Sequence, residues 1–200
     1  MPRLNPLPAI SRAFGRGVFP HRFSFLLELP ARHLLLSPLT LARRLRLDAR
    51  HRVLEVGAGS GFYSLAIAAR SGYLVALDLQ PEMLRKVGIS ARRAEVRRLA
   101  CVAGDATALP FANESFTTVY MVAVFGEVSD SRALLLEIHR ILEGRGTLSI
   151  SEHLPDPDFT RESRLTPLVE SHGFELAGRH GTSWTYTATF RKAGPRPPTL

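Results

Sequence analysis

From position 51 onward, short apolar runs alternate with stretches whose apolar positions recur every three or four residues. That alternation predicts a parallel sheet flanked by helices. The runs at 52–56, 74–78, 100–103, 117–122 and 147–151 read as strands. Helices are expected over 62–70, over 81–99 with an interruption near Gly88, over 131–142 and over 160–172. In the third of these, Leu134, Leu135, Ile138, Ile141 and Leu142 share one face, and Gly144 follows as a stop. After Gly173 the period shortens to two. Segment 174–179, the connection His180-Gly181-Thr182 and segment 183–191, with Trp184, Tyr186, Ala188 and Phe190 alternating, read as a hairpin that makes one edge strand antiparallel.

Before position 51 the pattern is broken by prolines at 2, 6, 8, 20, 30 and 38, which leave room for two or three brief helices. Pro38 suits a first helical turn, with Ser37 as N-cap and Leu39, Ala42, Leu45 and Leu47 as the apolar positions. Residues 1–48 are therefore expected to form a helical cap over a core of 49–193, and 194–200, with three prolines, a frayed tail.

A chain of 200 residues, 45% apolar and 22% charged, fits one globular domain. Charge is unevenly placed: residues 1–50 hold nine arginines and no lysine against Glu28 and Asp48, and so account for nearly all of the net +8. Such an arm suits arginines on a solvated face, contact with an anionic membrane surface, or an organellar transit peptide. Aromatic-basic motifs of the nucleic-acid binders are missing from the sequence. The single cysteine, Cys101, lies in an apolar run and is expected to be a buried thiol. Scattered histidines give no metal-ligand spacing, so no metal site is expected. No run approaches the length of a membrane span, and a soluble cytoplasmic protein is the expectation.

The first expected strand runs into Gly57-Ala58-Gly59-Ser60-Gly61, three glycines at alternate positions before a helical period. A tight strand-to-helix turn needs glycine for its backbone angles and for close ligand approach. A dinucleotide turn would want glycine where Phe62 stands, which weighs against NAD or FAD. Asp78 ends the second strand, where a carboxylate can accept both hydroxyl protons of a ribose or instead organise the turn before Pro81. Gly104-Asp105-Ala106 ends the third strand, where Asp105 and the Ala106 backbone can meet the amino edge of an adenine. All three lie at successive strand ends, the ligand side of open α/β folds.

With these motifs the chain resembles the class I S-adenosylmethionine-dependent methyltransferases, and among them the small-molecule group that includes ubiquinone and menaquinone biosynthesis enzymes. Glu55-Val56-Gly57-Ala58-Gly59-Ser60-Gly61 matches the acidic-x-Gly-x-Gly-x-Gly signature, and Asp78 and Asp105 match the next two motifs. Leu109-Pro110-Phe111, Ser115-Phe116 and Glu137 to Leu142, leading through Gly144-Arg145-Gly146, match further. The resemblance covers roughly 50–192 and implies a Rossmann-like α/β fold: a seven-stranded sheet with an antiparallel last strand and helices on both faces. It implies S-adenosylmethionine as cofactor and S-adenosylhomocysteine as product. Gly57, Ala58, Gly59 and Gly61 would lie along the methionine part, Glu55 would order its amino end, Asp78 would hold the ribose, and Asp105 and Ala106 the adenine. Leu79 and Met83 would flank the adenine, although Met83 also suits an ordinary helix core. Two positions depart from the pattern: Thr117 stands where the family often has aspartate, and Glu127 where many relatives place histidine.

The resemblance implies direct in-line methyl transfer to a small-molecule acceptor. If the acceptor must lose a proton, Glu127, His153 and Tyr120 are the candidates near strand ends; His153 also suits a surface position before a proline turn. Phe14, Phe19, Phe23, Phe25 and Phe125 would line a lipophilic acceptor pocket under the cap, or simply pack. Two alternatives compete: a non-catalytic cofactor-binding protein acting through its basic arm on a membrane surface or nucleic acid, and aminopropyl transfer. The apolar run Val122-Ala123-Val124-Phe125 lacks the acids a polyamine would need.

Overall fold

The computed structural model describes residues 36–194. The expectations for 1–35 and 195–200, including the earlier prolines, Phe14, Phe19, Phe23, Phe25 and the tail, lie outside the described residues. Helix α1, Pro38–Leu45, begins as expected: Ser37 Oγ accepts from the Thr40 N–H at 3.1 Å, and left-handed Arg46 ends it. Then follow β1 (Arg52–Val56), α2 (Ser64–Ala68), β2 (Tyr73–Asp78), α3 (Pro81–Arg93), β3 (Leu99–Ala103) and β4 (Phe116–Val122). After a 3₁₀ turn, Phe125–Glu127, come α4 (Ser131–Ile141), β5 (Leu142–His153), α5 (Glu162–Glu170), β6 (Phe174–Gly181) and β7 (Thr185–Lys192).

The strands form one seven-stranded sheet in the order β3-β2-β1-β4-β5-β7-β6. Strands β1 to β5 are parallel, and β7 runs antiparallel to both β5 and β6. The last strand is thus antiparallel as expected, but it lies inside the sheet and β6 takes the edge. Alternation along each strand splits the core in two. On one face Leu54, Val56, Val119, Met121, Leu148 and Ile150 pack with Leu134, Leu135, Ile138 and Ile141 of α4 and Leu165 and Val169 of α5. On the other, Val53, Leu74, Tyr120 and Val122 pack with Leu41, Ala42 and Leu45 of α1 and with Ile67 and Ala68 of α2. Leu84 and Val87 of α3 meet Ala76 and Ala58 beside them.

Several boundaries differ from the sequence expectation for local reasons. Helix α2 begins at Ser64 instead of 62 because residues 59–63 are spent in the turn. Helix α3 passes through Gly88 without a break: burial of Met83, Leu84, Val87 and Ala91 outweighs a glycine penalty of about 1 kcal/mol. It stops by Ala94, and left-handed Glu95 follows. Gly144 does not stop α4. Strand β5 starts at Leu142, and the register step from Phe116↔Leu142 to Thr118↔Thr147 takes up 143–146 as a bulge. Helix α5 is likewise shorter than 160–172. Cys101 is exposed, contrary to expectation. Its apolar run implied cover on both faces, but β3 is an edge strand and its outer flank stays open.

Candidate active site

The glycine turn leaves β1 at the carboxyl edge of the sheet. Gly57, Gly59 and Gly61 have φ of 70°, 53° and 91°, a region L side chains rarely occupy. Gly57 also lies against Val124: a Cβ on it would come 2.4 Å from Val124 Cγ2. Gly57 and Ala58 N–H groups both donate to the Leu77 carbonyl, at 2.9 and 3.0 Å, which locks the turn onto β2. Because α2 is short and starts at Ser64, the backbone beside Gly59 and Gly61 belongs to a turn and not to a helix's first residues.

Asp78 ends β2 with its carboxylate held at this turn. Oδ2 accepts from the Gly59 N–H at 2.8 Å and Oδ1 from the Gln80 N–H at 2.9 Å. Asp78 therefore organises the turn before Pro81, as one reading had it, and also braces the glycines. Each oxygen keeps a further lone pair for a hydroxyl. Burial pushes its pKa up, opposed by these backbone N–H donors.

Asp105 follows β3 on the same edge. Its Oδ1 accepts from the Thr107 N–H and Oγ1, both at 2.8 Å, which holds its carboxyl below the usual range. The loop after it is clamped from α4. Glu137 Oε2 accepts from the Leu109 N–H at 2.8 Å, while Arg140 donates to the carbonyls of Leu109 (2.9 Å) and Phe111 (2.7 Å). The two side chains pair at 2.7 Å, and Arg140 first of all holds the Glu137 carboxyl below its ordinary value. Sequence reading noticed these two residues only as a family match; their helical i,i+3 spacing was the available signal of a pair.

Leu79 and Met83 are not brought together. Leu79 is exposed at the rim, whereas Met83 is buried at 1% exposure. Ala58 is buried and Ala106 half-buried against the core. Glu55 sits buried under the turn and accepts from Ser64 Oγ at 2.5 Å.

Tyr120 is not at a strand end: it lies within β4 in register with Glu55, fully buried. Burial, then the Glu55 charge, pushes its hydroxyl pKa well up, so it holds its proton. His153 closes β5 and is 8% exposed instead of being a surface residue. Glu127 is half-buried at the end of the 3₁₀ turn after β4. Next to His153 along β5 comes a group the sequence reading left without a role, Glu152. It is buried at 1% exposure, and its Oε2 accepts from the Thr160 N–H at 3.0 Å. Burial raises its carboxyl to about 8, with Asp156 and Glu127 adding to the shift. A carboxylate at the same strand parity as the apolar Leu148 and Ile150 was the signal.

A separate groove of about 590 Å³ runs between α3 and the edge strand β3, lined by Arg85, Gly88, Arg92, Leu99 and Cys101 among others. It lies on the outer flank, away from the glycine turn. Among the described residues, no cluster of His, Cys, Asp and Glu suits a metal ion, and no helix is long and apolar enough to cross a membrane.

Residues 54–150 match the methyltransferase domain family. The chain is 39% identical over 115 residues to the demethylmenaquinone methyltransferase of Renibacterium salmoninarum, covering 55% of this chain and 46% of that protein. It is 28% identical over 135 residues to the uncharacterized methyltransferase YcgJ of Bacillus subtilis, covering 59% and 53%. The chain thus spans about half the length of the curated relatives it matches. A S-adenosylmethionine-dependent methyltransferase structure from Aquifex aeolicus superposes with a TM-score of 0.81 at 18% identity, covering 88% of this chain and all of that one. A [4+2]-cyclase, SpnF, shares the fold at a TM-score of 0.70 and 17% identity, covering 78% of this chain and 80% of that one, so the fold alone does not fix the chemistry. Through the domain match at 54–150 and its seven-stranded sheet, the chain is similar to the methyltransferase-domain proteins and shares the fold of a S-adenosylmethionine-dependent methyltransferase.

Proposed function

We propose that this protein binds S-adenosylmethionine at the carboxyl edge of β1, β2 and β3 and catalyses methyl transfer to a small-molecule acceptor. The carrying observation is the side-chain-free turn at Gly57, Gly59 and Gly61 with Asp78 bonded to the Gly59 N–H. A Cβ at Gly57 has no room, and Asp78 retains acceptor capacity on both oxygens, so the residues fit an adenosyl compound. When bound, the cofactor supplies an electrophilic methyl on a sulfonium.

The residues' own tasks follow from their places. Asp78 accepts from ribose hydroxyls, Asp105 and the Ala106 backbone meet the adenine edge, and Leu79 offers an apolar face at the rim. Glu55, fixed by Ser64, sets negative charge beneath the turn, where an ammonium would be favoured. Most of the rate comes from holding the acceptor in line and excluding water, worth up to about 7–11 kcal/mol. Where the acceptor must give up a proton, His153 at the end of β5 takes it, with Glu127, at the end of the 3₁₀ turn after β4, as the second candidate. Tyr120 has no part, because its buried hydroxyl keeps its proton. The curated relatives, named as methyltransferases, give no support to a non-catalytic role.

Calorimetric titration with S-adenosylhomocysteine tests the cofactor half: saturable one-to-one binding is expected, and its absence sinks the reading. Incubation with labelled methyl donor and a cell extract then identifies the molecule that gains label.

A further inference from the structure

Hydroxyls make up most of the α1 side of β4, β5 and β7. Tyr120 is in register with Ser149, Ser149 with Thr189, and Ser151 with Thr187, so strand alternation puts all five on one face. Ser149, Ser151 and Thr187 are buried at 0%, 1% and 0% exposure. Ser149 Oγ is fully buried without a hydrogen-bond partner, whereas Tyr120 Oη lies against the Glu55 carboxylate. Buried hydroxyls are nearly always paired, so a bare one in this row marks a place where something polar belongs.

Arg44 of α1 reaches into this row. Its Nη1 donates to Thr187 Oγ1 at 2.7 Å, and Thr187 Oγ1 lies 2.9 Å from Ser151 Oγ. Among the described residues this is its single hydrogen bond, and no carboxylate pairs with it. A guanidinium offers several N–H donors in a planar fork, so most of its capacity is unspent. Burial makes the uncompensated charge costly, which is also why its pKa is pushed down. The nearest acid in the row is Glu55, two strands from Ser149 and already bonded by Ser64. A half-buried arginine beside a row of buried hydroxyls is a donor set for an oxyanion. His153 stands two residues beyond Ser151 on the same face, about 7 Å along the strand.

We infer that Arg44, Ser149, Ser151 and Thr187 form an anion subsite of the acceptor pocket, and that the acceptor carries a carboxylate or phosphate. This rests on the methyltransferase reading. The anionic end is held inside the sheet face, and the methylated end lies toward His153 at the edge.

The test uses the full chain saturated with S-adenosylhomocysteine and titrated with phenylacetate, phenyl phosphate or neutral phenylacetamide. One anion is expected to bind saturably and the amide at least tenfold more weakly; which anion binds separates carboxylate from phosphate. Arg44→Gln should weaken that anion at least tenfold, while Arg43→Gln, an exposed neighbour, should leave it unchanged. Equal affinity for anion and amide overturns the inference. So does an Arg44→Gln protein with a lower Tm and unaltered anion affinity, which would make Arg44 only a tie between α1 and the sheet. If Arg44→Gln does not fold, Arg44→Lys keeps the charge without the fork, and unchanged affinity there overturns it equally. Should S-adenosylhomocysteine itself fail to bind wild-type protein, the cofactor reading fails, and the same titrations on the free protein still decide the subsite.

Discussion

Replacing Gly57 with alanine probes the turn on which the cofactor reading depends. Two costs combine. At φ of 70° an alanine loses about 1–2 kcal/mol relative to its preferred conformations. Its Cβ would also sit 2.4 and 2.9 Å from the two Val124 methyls, well inside contact distance, and overpacking of that kind costs about 1–3 kcal/mol. Gly57→Ala should therefore destabilise by roughly 2–5 kcal/mol. Val124→Ala removes both methyls and leaves its Cβ at 3.2 Å, a contact small shifts can relieve. The double variant should recover the steric share and retain only the backbone share, so the cycle gives a coupling of about 1–3 kcal/mol. Urea unfolding of the four proteins measures it, and calorimetry with S-adenosylhomocysteine reads the site in parallel. A Gly57→Ala protein as stable as wild type, or two additive single effects, would refute the claim that side-chain exclusion shapes this turn.

Other consequences can be checked more briefly. Asp78→Asn should weaken S-adenosylhomocysteine about 10- to 100-fold by calorimetry, since a charge-assisted hydrogen bond is worth about 1.5–3 kcal/mol. Arg140→Ala removes donors to two loop carbonyls and strands Glu137; it should lower stability by about 1–3 kcal/mol and weaken cofactor binding through the Asp105 loop. Glu152, raised from 4.5 to about 8, binds more proton folded than unfolded, so its contribution is fully present below pH 4.5 and is lost as pH rises through about 8. Denaturation midpoints should fall over that window at up to about 1.4 kcal/mol per pH unit, and Glu152→Gln should flatten the profile. Cys101 should react with a thiol reagent in the native protein, though slowly, because burial and the nearby Glu55 charge push its pKa up.

Much was legible in the order of residues alone. The sequence determined the strand–helix alternation, the glycine turn, and the carboxylates at the ends of β2 and β3. Each is a local matter: period two or 3.6 in burial, a backbone angle only glycine accepts, a polar residue ending an apolar run. Only the tertiary structure decided which strands lie at the edges, and so that Cys101 is exposed while β7 is interior. An apolar run reads the same whether one flank is covered or two. It also decided that Met83 packs in the core while Leu79 stands at the rim, and that Tyr120 lies beneath the turn instead of at a strand end. Arg44 over its hydroxyl row, without a carboxylate partner among the described residues, and the raised Glu152 belong to the same class. Their chemistry depends on neighbours 36 to 143 positions away or on burial that only the assembled sheet creates.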